Sequence, residues 1–191
     1  MQEFKTKHIN GMPSIFFIFL FTRPLLLDLI GIIQILLLVM ETLYHKPILI
    51  AEIGCNHKGN ISVAKKLILA AAKAGAEYAK FQIRDNKYLL GKDYFLPHPV
   101  PENSYGKTYG EHRERLEFTI NQHLILQNFC KKNKIKYSTS VWDVKSAEKV
   151  NRSKLSKDYI KIPSACNLDL ELLNYLAEKY KGKMHISLGM T

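Results

Sequence analysis

The sequence has few cysteines and none of the short motifs that mark nucleotide or zinc sites. Its three cysteines, Cys55, Cys130 and Cys166, lie far apart, so a CxxC zinc pair is absent and a disulfide framework is not expected. This cysteine usage is typical of a reducing compartment. No GxGxxG or GxxxxGKS/T motif follows the first predicted strand, which argues against a nucleotide-binding sheet. No DNA- or RNA-binding motif is present, and we expect no nucleic-acid partner.

The sequence also has fewer acidic residues than basic ones. The chain has 17 Asp and Glu against 28 Lys and Arg, giving a net charge of +11. Such an excess favours anionic partners, including phosphates and carboxylates. The lysines are dispersed along predicted helices, which is equally the pattern of a solvated helix face. The length of 191 residues suits one domain, and the hydrophobic content of 47% is enough for a core.

Residues 1–46 differ from the rest of the chain, because residues 14–40 are almost all apolar. Arginine, proline and aspartate interrupt this stretch, and the uninterrupted run from Leu29 to Met40 is short for a membrane span. Three interpretations remain open: a membrane anchor, a signal segment, or upstream sequence ahead of a true start at Met40. We expect a cytoplasmic protein, with membrane association through residues 14–40 as the alternative.

From residue 47 onward, short apolar runs that end in polar residues alternate with helical patterns. The predicted strands are Ile48–Ile53, Tyr78–Ile83, Lys136–Val141, Tyr159–Pro163 and Met184–Leu188. The predicted helices are Ile61–Ala74, Leu124–Lys134, Val144–Val150 and Leu168–Tyr180. Strands that alternate with helices predict an α/β fold with right-handed, parallel connections.

The first of these helices has clear end signals. Asn60 is a good N-cap residue, and Gly75 is suited to end the helix. Spacings of three and four residues predict a buried stripe on this helix. Its members are Val63, Leu67, Ala71 and Ala74.

A long loop is predicted over residues 86–115, which are rich in proline, glycine, histidine, tyrosine and charge. Loops of this length inside a compact domain are usually functional or disordered. The aromatic residues favour a lid or substrate-contact loop, in which His98 and His112 are candidates to meet substrate anions.

The alternation of strands and helices fits either a (β/α)8 barrel or a doubly wound sheet. A complete barrel needs about 250 residues and eight strands. We therefore predict an incomplete TIM barrel of about five βα units over residues 47–191, preceded by an apolar N-terminal extension over residues 1–46.

Five segments of this part of the chain, AEIGCNH, AKFQ, YSTS, IKIPSA and ISLGMT, occur in an informative order and spacing. In this order they resemble the N-acetylneuraminate (sialic acid) synthase family, including the legionaminic and pseudaminic acid synthases. The resemblance covers residues 47–191 and implies the N-terminal part of a catalytic barrel. It implies an enzyme that condenses phosphoenolpyruvate with an N-acetylhexosamine, using a divalent metal, Mn²⁺ or Mg²⁺, that polarises the sugar aldehyde.

The resemblance also implies roles for individual residues. Five of them match residues that bind phosphoenolpyruvate: Lys80, Thr139, Lys161, Ser164 and Ser187. Glu52 and Gln82 match residues that lie near the sugar and its reacting end, and we predict them to be catalytic.

Structural roles are open for the same residues. Lys80 lies in an apolar run, where an unpaired ammonium is costly, so an ion pair with Glu52 is the alternative. Thr139, Ser164 and Ser187 have the alternative role of capping strand ends or helix starts. His57 is interpreted as a structural hydrogen-bonding residue and not as a metal ligand.

The chain departs from the family pattern in two respects. Where the family has GSGE, this sequence has Pro163 to Cys166. A cysteine replaces the glutamate that is expected at the sugar, which leaves the acceptor sugar open. The resemblance places the two metal-binding histidines and a C-terminal domain beyond residue 191, so no metal ligand is predicted within this chain.

The resemblance implies a homodimer for the full-length protein. We expect the 191-residue chain by itself to be inactive and poorly stable, because an open barrel exposes unpaired strand edges. A cooperative fold with synthase turnover would contradict this expectation.

Two other functions remain open. One is a Schiff-base aldolase that uses Lys80 or Lys161. The other is a membrane-anchored, non-catalytic binding module. Borohydride trapping of a substrate on lysine separates the first from the synthase, and membrane fractionation separates the second.

Overall fold

The computed structural model describes residues 25–43 and 47–189, and the chain divides into two compact units, residues 1–47 and 48–191. In the first unit, helix α1 runs from Leu25 to Leu43. Within the described ranges, no helix has both the length and the apolar character needed to cross a membrane. The other residues of the predicted N-terminal extension up to residue 46, and the last two residues of the chain, lie outside the described ranges.

The second unit consists of strands and helices that alternate along the chain. The strands are β1 (Ile50–Gly54), β2 (Tyr78–Ile83), β3 (Lys136–Val141), β4 (Tyr159–Ile162) and β5 (Lys183–Ile186). The helices are α2 (Ile61–Lys73), α3 (Asn86–Leu90), α4 (Tyr109–Leu116), α5 (Ile120–Lys132), α6 (Val144–Arg152) and α7 (Leu170–Lys179). Three short 3-10 turns add to them: Gly91–Phe95, Pro101–Asn103 and Ser164–Cys166.

The five strands form one parallel sheet in the order β1-β2-β3-β4-β5. Each strand lies beside the one that precedes it in the chain, which is the order of a barrel and not of a doubly wound sheet, where the order reverses. The predicted α/β fold with five parallel strands is therefore confirmed. The connections between the strands place helices against one face of the sheet.

The face of the sheet that packs against the helices is apolar. Phe81 on β2 and Ile160 on β4 are fully buried, and they belong to one core cluster with Ile68 of α2 and Leu172 of α7. Burial of such side chains stabilises a fold by roughly 1.5–3 kcal/mol each. Because side chains alternate between the faces of a strand, this packing directs the intervening side chains of each strand to the other face.

The ends of helix α2 agree with the prediction. The side chain of Asn60 accepts hydrogen bonds from the backbone nitrogens of Ser62 at 2.8 Å and Val63 at 3.1 Å. Such a cap contributes about 1 kcal/mol to helix stability. At the other end, Gly75 follows the C-cap Ala74 and has a φ of +82°, a conformation that glycine adopts without strain.

The predicted buried stripe of α2 is wrong by one position. Ala64 and Ile68 are fully buried, whereas Val63 is 36% exposed and Ala74 is also exposed. Leu67, which was predicted to be buried, is only partly so. The error arises because apolar residues occupy several faces of this helix, and only contact with the sheet decides which face points inward.

The prediction of a loop throughout residues 86–115 is also wrong, because this segment contains α3, most of α4 and two 3-10 turns. Asp85 caps α3 by accepting from the backbone nitrogen of Tyr88 at 3.1 Å, and Thr108 caps α4 in the same way. The ring of Tyr94 packs against Gly110, where a Cβ would lie 2.3 Å from the ring. Local caps and this close contact give the segment regular structure.

Helix α5 begins at Ile120, four residues before the predicted start at Leu124. The reason is a capping box, in which Thr119 and Gln122 each bind the backbone nitrogen of the other. Leu126 and Cys130 are fully buried, as predicted, and Phe129 is partly buried.

Replacement of Gly59 by alanine is expected to lower the free energy of unfolding by about 2–4 kcal/mol. Gly59 has a φ of +68°, and a Cβ there would lie 2.0 Å from the carbonyl oxygen of Arg115. The control is Gly75→Ala, because Gly75 has a φ of +82° but nothing within 4 Å of its Cβ position. We expect this control to lose only about 1 kcal/mol. Urea unfolding followed by circular dichroism measures the unfolding free energy of both variants. Equal losses in Gly59→Ala and Gly75→Ala would contradict a steric contribution at Gly59.

Candidate active site

The face of the sheet away from the helices is lined with polar side chains. We call it the polar face, and its residues are Glu52 on β1, Lys80 and Gln82 on β2, Ser138 and Ser140 on β3, Lys161 on β4 and His185 on β5. Backbone pairing sets Lys80 opposite both Glu52 and Ser138, and Ser140 opposite both Gln82 and Lys161. Lys161 in turn lies opposite His185. The parallel register therefore gathers acid, amide, hydroxyl, ammonium and imidazole groups on one surface.

Lys80 and Glu52 form an ion pair between β1 and β2, and the ammonium also lies 3.4 Å from the Oγ of Ser140. The side chain of Lys80 is 6% exposed, whereas that of Glu52 is 51% exposed. Burial lowers the pKa of Lys80 below its ordinary value, and the bond from Glu52 opposes this effect only in part. Lys161 also favours the neutral form of Lys80 by charge repulsion. The ion pair of Lys80 with Glu52, which is the structural alternative for this lysine, is thus present.

A cavity of about 360 Å³ opens onto the polar face. It is lined by Ile50, Glu52, Lys80, Tyr159, Lys161, His185, Ile186 and Ser187. The rings of Tyr159 and His185 stack with their centroids 4.3 Å apart and form part of its wall. Four of the residues predicted from the sequence therefore meet in one cavity: Glu52, Lys80, Lys161 and Ser187. Two ammonium groups and a hydroxyl suit a carboxylate or phosphate, while Glu52 supplies a carboxylate beside them.

Gln82 lies beyond Lys80 on the same strand and contacts a second cluster of polar side chains. Its Oε1 accepts a hydrogen bond from Arg84 and lies 3.6 Å from the Sγ of Cys55. Arg84 also makes an ion pair with Glu117 at 3.5 Å, and its guanidinium lies 4.1 Å from the ring centroid of Trp142. Arg84 is not among the site residues predicted from the sequence. The same period of two that joins Lys80 to Gln82 was the signal that would have found it.

Glu117 is a buried carboxyl with an altered pKa. Burial raises its pKa from 4.5 to about 7, and Arg84 opposes this change. Its side chain is only 10% exposed, and it belongs to the residue that follows α4. No local sequence pattern connects Glu117 with Arg84, so only the folded chain shows this pair.

The predicted role of Thr139 does not fit the geometry of the polar face. Thr139 lies opposite Phe81 and Ile160, which both belong to the apolar core, and its hydroxyl donates to the carbonyl oxygen of Ser140 at 3.2 Å. The alternation of side chains along β3 directs Ser138 and Ser140 to the polar face instead. Ser140 therefore lies near the ammonium of Lys80, and a part of Thr139 in phosphoenolpyruvate binding stays a prediction.

Ser164 and Ser187 lie near the carboxyl ends of their strands. Ser164 begins the 3-10 turn after β4, and its side chain is outside the lining of the 360 Å³ cavity. Ser187 follows β5, lines the cavity, and donates its backbone N–H to the carbonyl oxygen of Ile162 at 3.0 Å. Ser187 thus makes a structural backbone hydrogen bond and also lines the cavity. The part of these serines in phosphoenolpyruvate binding stays a prediction.

Cys166, which replaces the family glutamate, is a buried thiol that is 6% exposed. Its Sγ donates to the carbonyl oxygen of Trp142 at 3.2 Å. Burial raises its pKa to about 11, so the thiol is neutral at physiological pH. Cys166 therefore supplies neither the charge nor the oxygen atoms of a carboxylate.

His98 and His112 pack against each other with their ring centroids 4.3 Å apart, and Tyr105 stacks on His112. The backbone nitrogens of Val100 and Tyr105 donate to the Nδ1 atoms of His98 and His112. Neither histidine lines the 360 Å³ cavity. Contact between these histidines and substrate anions stays a prediction.

His57 is buried, as expected of a structural residue, with 2% exposure. Its ring stacks on Phe118 with centroids 4.0 Å apart, and its Nδ1 accepts from the backbone nitrogen of Gly59 at 3.1 Å. Burial lowers its pKa to about 4.

In residues 25–43 and 47–189, no three His, Cys, Asp or Glu side chains come together in a way that would hold a metal ion. The described residues therefore do not fit a divalent metal by themselves.

Replacement of Glu52 by glutamine is expected to lower the free energy of unfolding by about 1–3 kcal/mol, because it leaves the buried ammonium of Lys80 without its counter-charge. The matched control is Glu148→Gln, since Glu148 forms an exposed pair with Arg152 at 3.9 Å. We expect the control to change stability by less than about 0.5 kcal/mol. Urea unfolding measures both, and the double variant Glu52→Gln with Lys80→Met should recover much of the loss. Equal effects of Glu52→Gln and Glu148→Gln would refute the prediction.

Glu117 is expected to make stability fall with rising pH. Its folded pKa of about 7 exceeds the ordinary 4.5, so the folded state binds this proton more tightly than the unfolded state does. The resulting stabilisation is complete below pH 4.5 and is lost as the pH rises through 7, a change of about 3 kcal/mol.

The variant Glu117→Gln should lack this dependence. The difference in unfolding free energy between wild type and variant is measured from pH 4 to 8, with Glu102→Gln at an exposed position as control. A constant difference across this range would show that Glu117 does not titrate near neutrality.

Comparison with known proteins shows which family this chain resembles. The NeuB family model matches residues 67–191. An N-acetylneuraminate-9-phosphate synthase of Drosophila melanogaster is 40% identical over 134 residues, covering 68% of this chain and 34% of the fly protein. The enzyme of the same name from Mus musculus is 34% identical over 146 residues, covering 76% and 40% of the two chains. A Campylobacter jejuni N,N'-diacetyllegionaminic acid synthase is 32% identical, covering 76% and 43%.

Solved structures show the same fold. The N-acetylneuraminic acid synthetase of Leptospira borgpetersenii, crystallised with citrate, matches with a TM-score of 0.61 and 23% identity, over 76% of this chain and 46% of that protein. The Bacillus subtilis spore coat polysaccharide biosynthesis protein SpsE matches with a TM-score of 0.54 and 28% identity, over 75% and 36%. The predicted barrel fold and the predicted resemblance are thereby confirmed. The chain spans about a third to two fifths of the length of the curated relatives it matches, and it belongs to the NeuB family.

Proposed function

We propose that this chain forms the phosphoenolpyruvate-binding part of a synthase that joins phosphoenolpyruvate to an N-acetylhexosamine and yields a sialic-acid-like nonulosonate. The observation that carries the proposal is the cavity in which Lys80, Lys161 and Ser187 meet beside Glu52. The curated relatives support it, because they are named as N-acetylneuraminate-9-phosphate and legionaminic acid synthases. Their names differ in the product, so the acceptor sugar stays open.

The charges in the cavity suit the proposed substrate. Phosphoenolpyruvate carries a carboxylate and a phosphate, and the ammonium groups of Lys80 and Lys161 can bind one each. A cation that is buried in a protein is held in place before the ligand arrives, which lowers the cost of ordering it. Ser140 and Ser187 add hydroxyl groups that donate to the same oxygens.

The proposed reaction forms one carbon–carbon bond and releases phosphate. C3 of phosphoenolpyruvate bonds to the aldehyde carbon of the sugar, and the aldehyde oxygen takes up a proton. Water adds at C2, and phosphate leaves with cleavage of the C2–O bond. We assign Glu52 and Gln82 to the sugar and its reacting end, because they lie on the polar face beside Lys80. Lys80 and Lys161 stabilise the negative charge of the departing phosphate.

A lysine Schiff base is the second candidate, and one observation favours it. Burial lowers the pKa of Lys80, and a lowered pKa is what an amine nucleophile needs. Sodium borohydride added with pyruvate or phosphoenolpyruvate would fix a covalent adduct on Lys80 or Lys161, which mass spectrometry detects. We expect no adduct, because the proposed route contains no imine.

Direct measurement of phosphoenolpyruvate binding tests the proposal. Calorimetry on the full chain should show binding that Lys80→Met and Lys161→Met each weaken by about 10-fold or more, since a charged hydrogen bond contributes about 1.5–3 kcal/mol. The control is Lys66→Met, which removes the same charge from an exposed position on α2. Because the pKa of Lys80 is lowered, binding should weaken as the pH rises through that lowered value.

Two results would contradict the proposed binding of phosphoenolpyruvate. Equal weakening by Lys66→Met and Lys80→Met would mean that only net charge matters, and absence of binding by the wild type would overturn the proposal. Phosphate release with an N-acetylhexosamine and Mn²⁺ is measured in the same samples, and none is expected from the chain by itself. A homodimer, a divalent metal and a cytoplasmic location complete the proposal for the full-length protein.

A further inference from the structure

The amide of Gln82 is held in one orientation by its neighbours. Its Oε1 accepts from the Nη2 of Arg84 and lies 3.6 Å from the Sγ of Cys55. A guanidinium has hydrogen-bond donors and no acceptor, so the end of the amide that faces Arg84 must be its oxygen. The amide nitrogen of Gln82 consequently faces away from Arg84.

Arg84 is itself restrained from several sides. Its guanidinium lies 4.1 Å from the ring centroid of Trp142, its Nη1 is 3.5 Å from Glu117, and the same Nη1 is 3.6 Å from the Sγ of Cys55. Its side chain is only 8% exposed. Stacking on an aromatic ring and an ion pair together fix the direction in which the guanidinium presents its donors.

The backbone of β1 leaves room for the amide nitrogen. The pairing of β1 with β2 is irregular between Glu52 and Gly54, and Gly54 has a φ of +53°. A Cβ at Gly54 would lie 3.4 Å from the Nε2 of Gln82. No residue in the described part of the chain accepts a hydrogen bond from this Nε2. Its two hydrogens are thus not committed to a protein acceptor in that part of the chain.

We infer that Arg84 is a positioning residue that fixes Gln82 as a hydrogen-bond donor to an oxygen atom of the acceptor sugar. The inference rests on the proposed function, in which Lys80 and Lys161 hold phosphoenolpyruvate. Gln82 lies two residues farther along β2, toward the carboxyl end of the sheet, which is where substrates enter barrels of this kind. The recognised group is a hydroxyl, aldehyde or N-acetyl oxygen of the hexosamine.

The first test measures the orientation of Gln82 without any ligand. In ¹⁵N-labelled full chain, the side-chain NH₂ signals of Gln82 are identified by their loss in Gln82→Leu. Arg84→Met keeps an unbranched apolar stem over Trp142 but has no donor, and it should shift these signals and speed the interchange of the two amide protons. Arg152→Met removes a surface guanidinium that is 77% exposed, and it should leave them unchanged. Signals that are the same in Arg84→Met and wild type would overturn the inference.

The second test measures ligand affinity. With phosphoenolpyruvate present, Arg84→Met should weaken binding of N-acetylmannosamine by about 5-fold to 10-fold, as expected for one hydrogen bond, and should leave phosphoenolpyruvate affinity unchanged. Gln82→Leu should cause a similar loss, and the double variant should lose no more than either single variant. Arg84→Lys retains a donor and should restore part of the affinity, which guards against a simple folding defect in Arg84→Met.

The outcomes separate the inference from the proposed function. Independent, additive losses in the double variant would overturn the link between Arg84 and Gln82. Binding of phosphoenolpyruvate without binding of the sugar would overturn the assignment to the sugar. If the wild type binds neither compound, the proposed function fails, and the amide signals of Gln82 still decide whether Arg84 positions it.

Discussion

The in-register parallel pairing of the five strands is the constraint on which both the core and the site depend. Since successive side chains point to opposite faces, the pairing of Ser140 with Lys161 places polar groups on one face and leaves the apolar groups on the other. A slip of one residue on β2 would turn Phe81 toward the polar side and place Lys80 among the helices. The burial of an ammonium in an apolar core is costly, so the charges of the site themselves oppose such a slip.

Lys80 on β2 and Arg84, which follows β2, are compensated in different ways. Lys80 pairs with a half-exposed carboxylate on the neighbouring strand, and its pKa is lowered by burial. Arg84 stacks on Trp142 and faces Glu117, whose pKa is raised to about 7. Lys80 and Glu117 are both shifted toward their neutral forms. Groups of this kind change charge at modest cost in free energy.

The chain belongs to the NeuB family. Cys166 lies where the resemblance implies a different residue, a glutamate. Cys166 is a neutral thiol bonded to the carbonyl oxygen of Trp142. The ring of the same Trp142 supports the guanidinium of Arg84. The departure at Cys166 and the cluster around Arg84 are therefore connected through one residue. A buried thiol thus lies at the position where the resemblance implies a glutamate, and an arginine supported by Trp142 lies close to Gln82.

The sequence by itself determined the order of the five strands and of the helices α2, α5, α6 and α7, the bounds of β2 and β3, and the cap at Asn60. These features depend on local periodicity and on bonds between near neighbours. It also indicated that Glu52, Lys80, Lys161 and Ser187 would come together, since the carboxyl ends of parallel strands share one edge.

The tertiary structure alone decided three other features. Contact with the sheet chose the inward face of α2, because several of its faces are apolar. The register of β3 placed Thr139 in the core and Ser140 beside Lys80. The pairing of Arg84 with Glu117 joins residues far apart in the sequence. Burial and long-range contact set these features, and neither is encoded in the spacing of residues along one strand or helix.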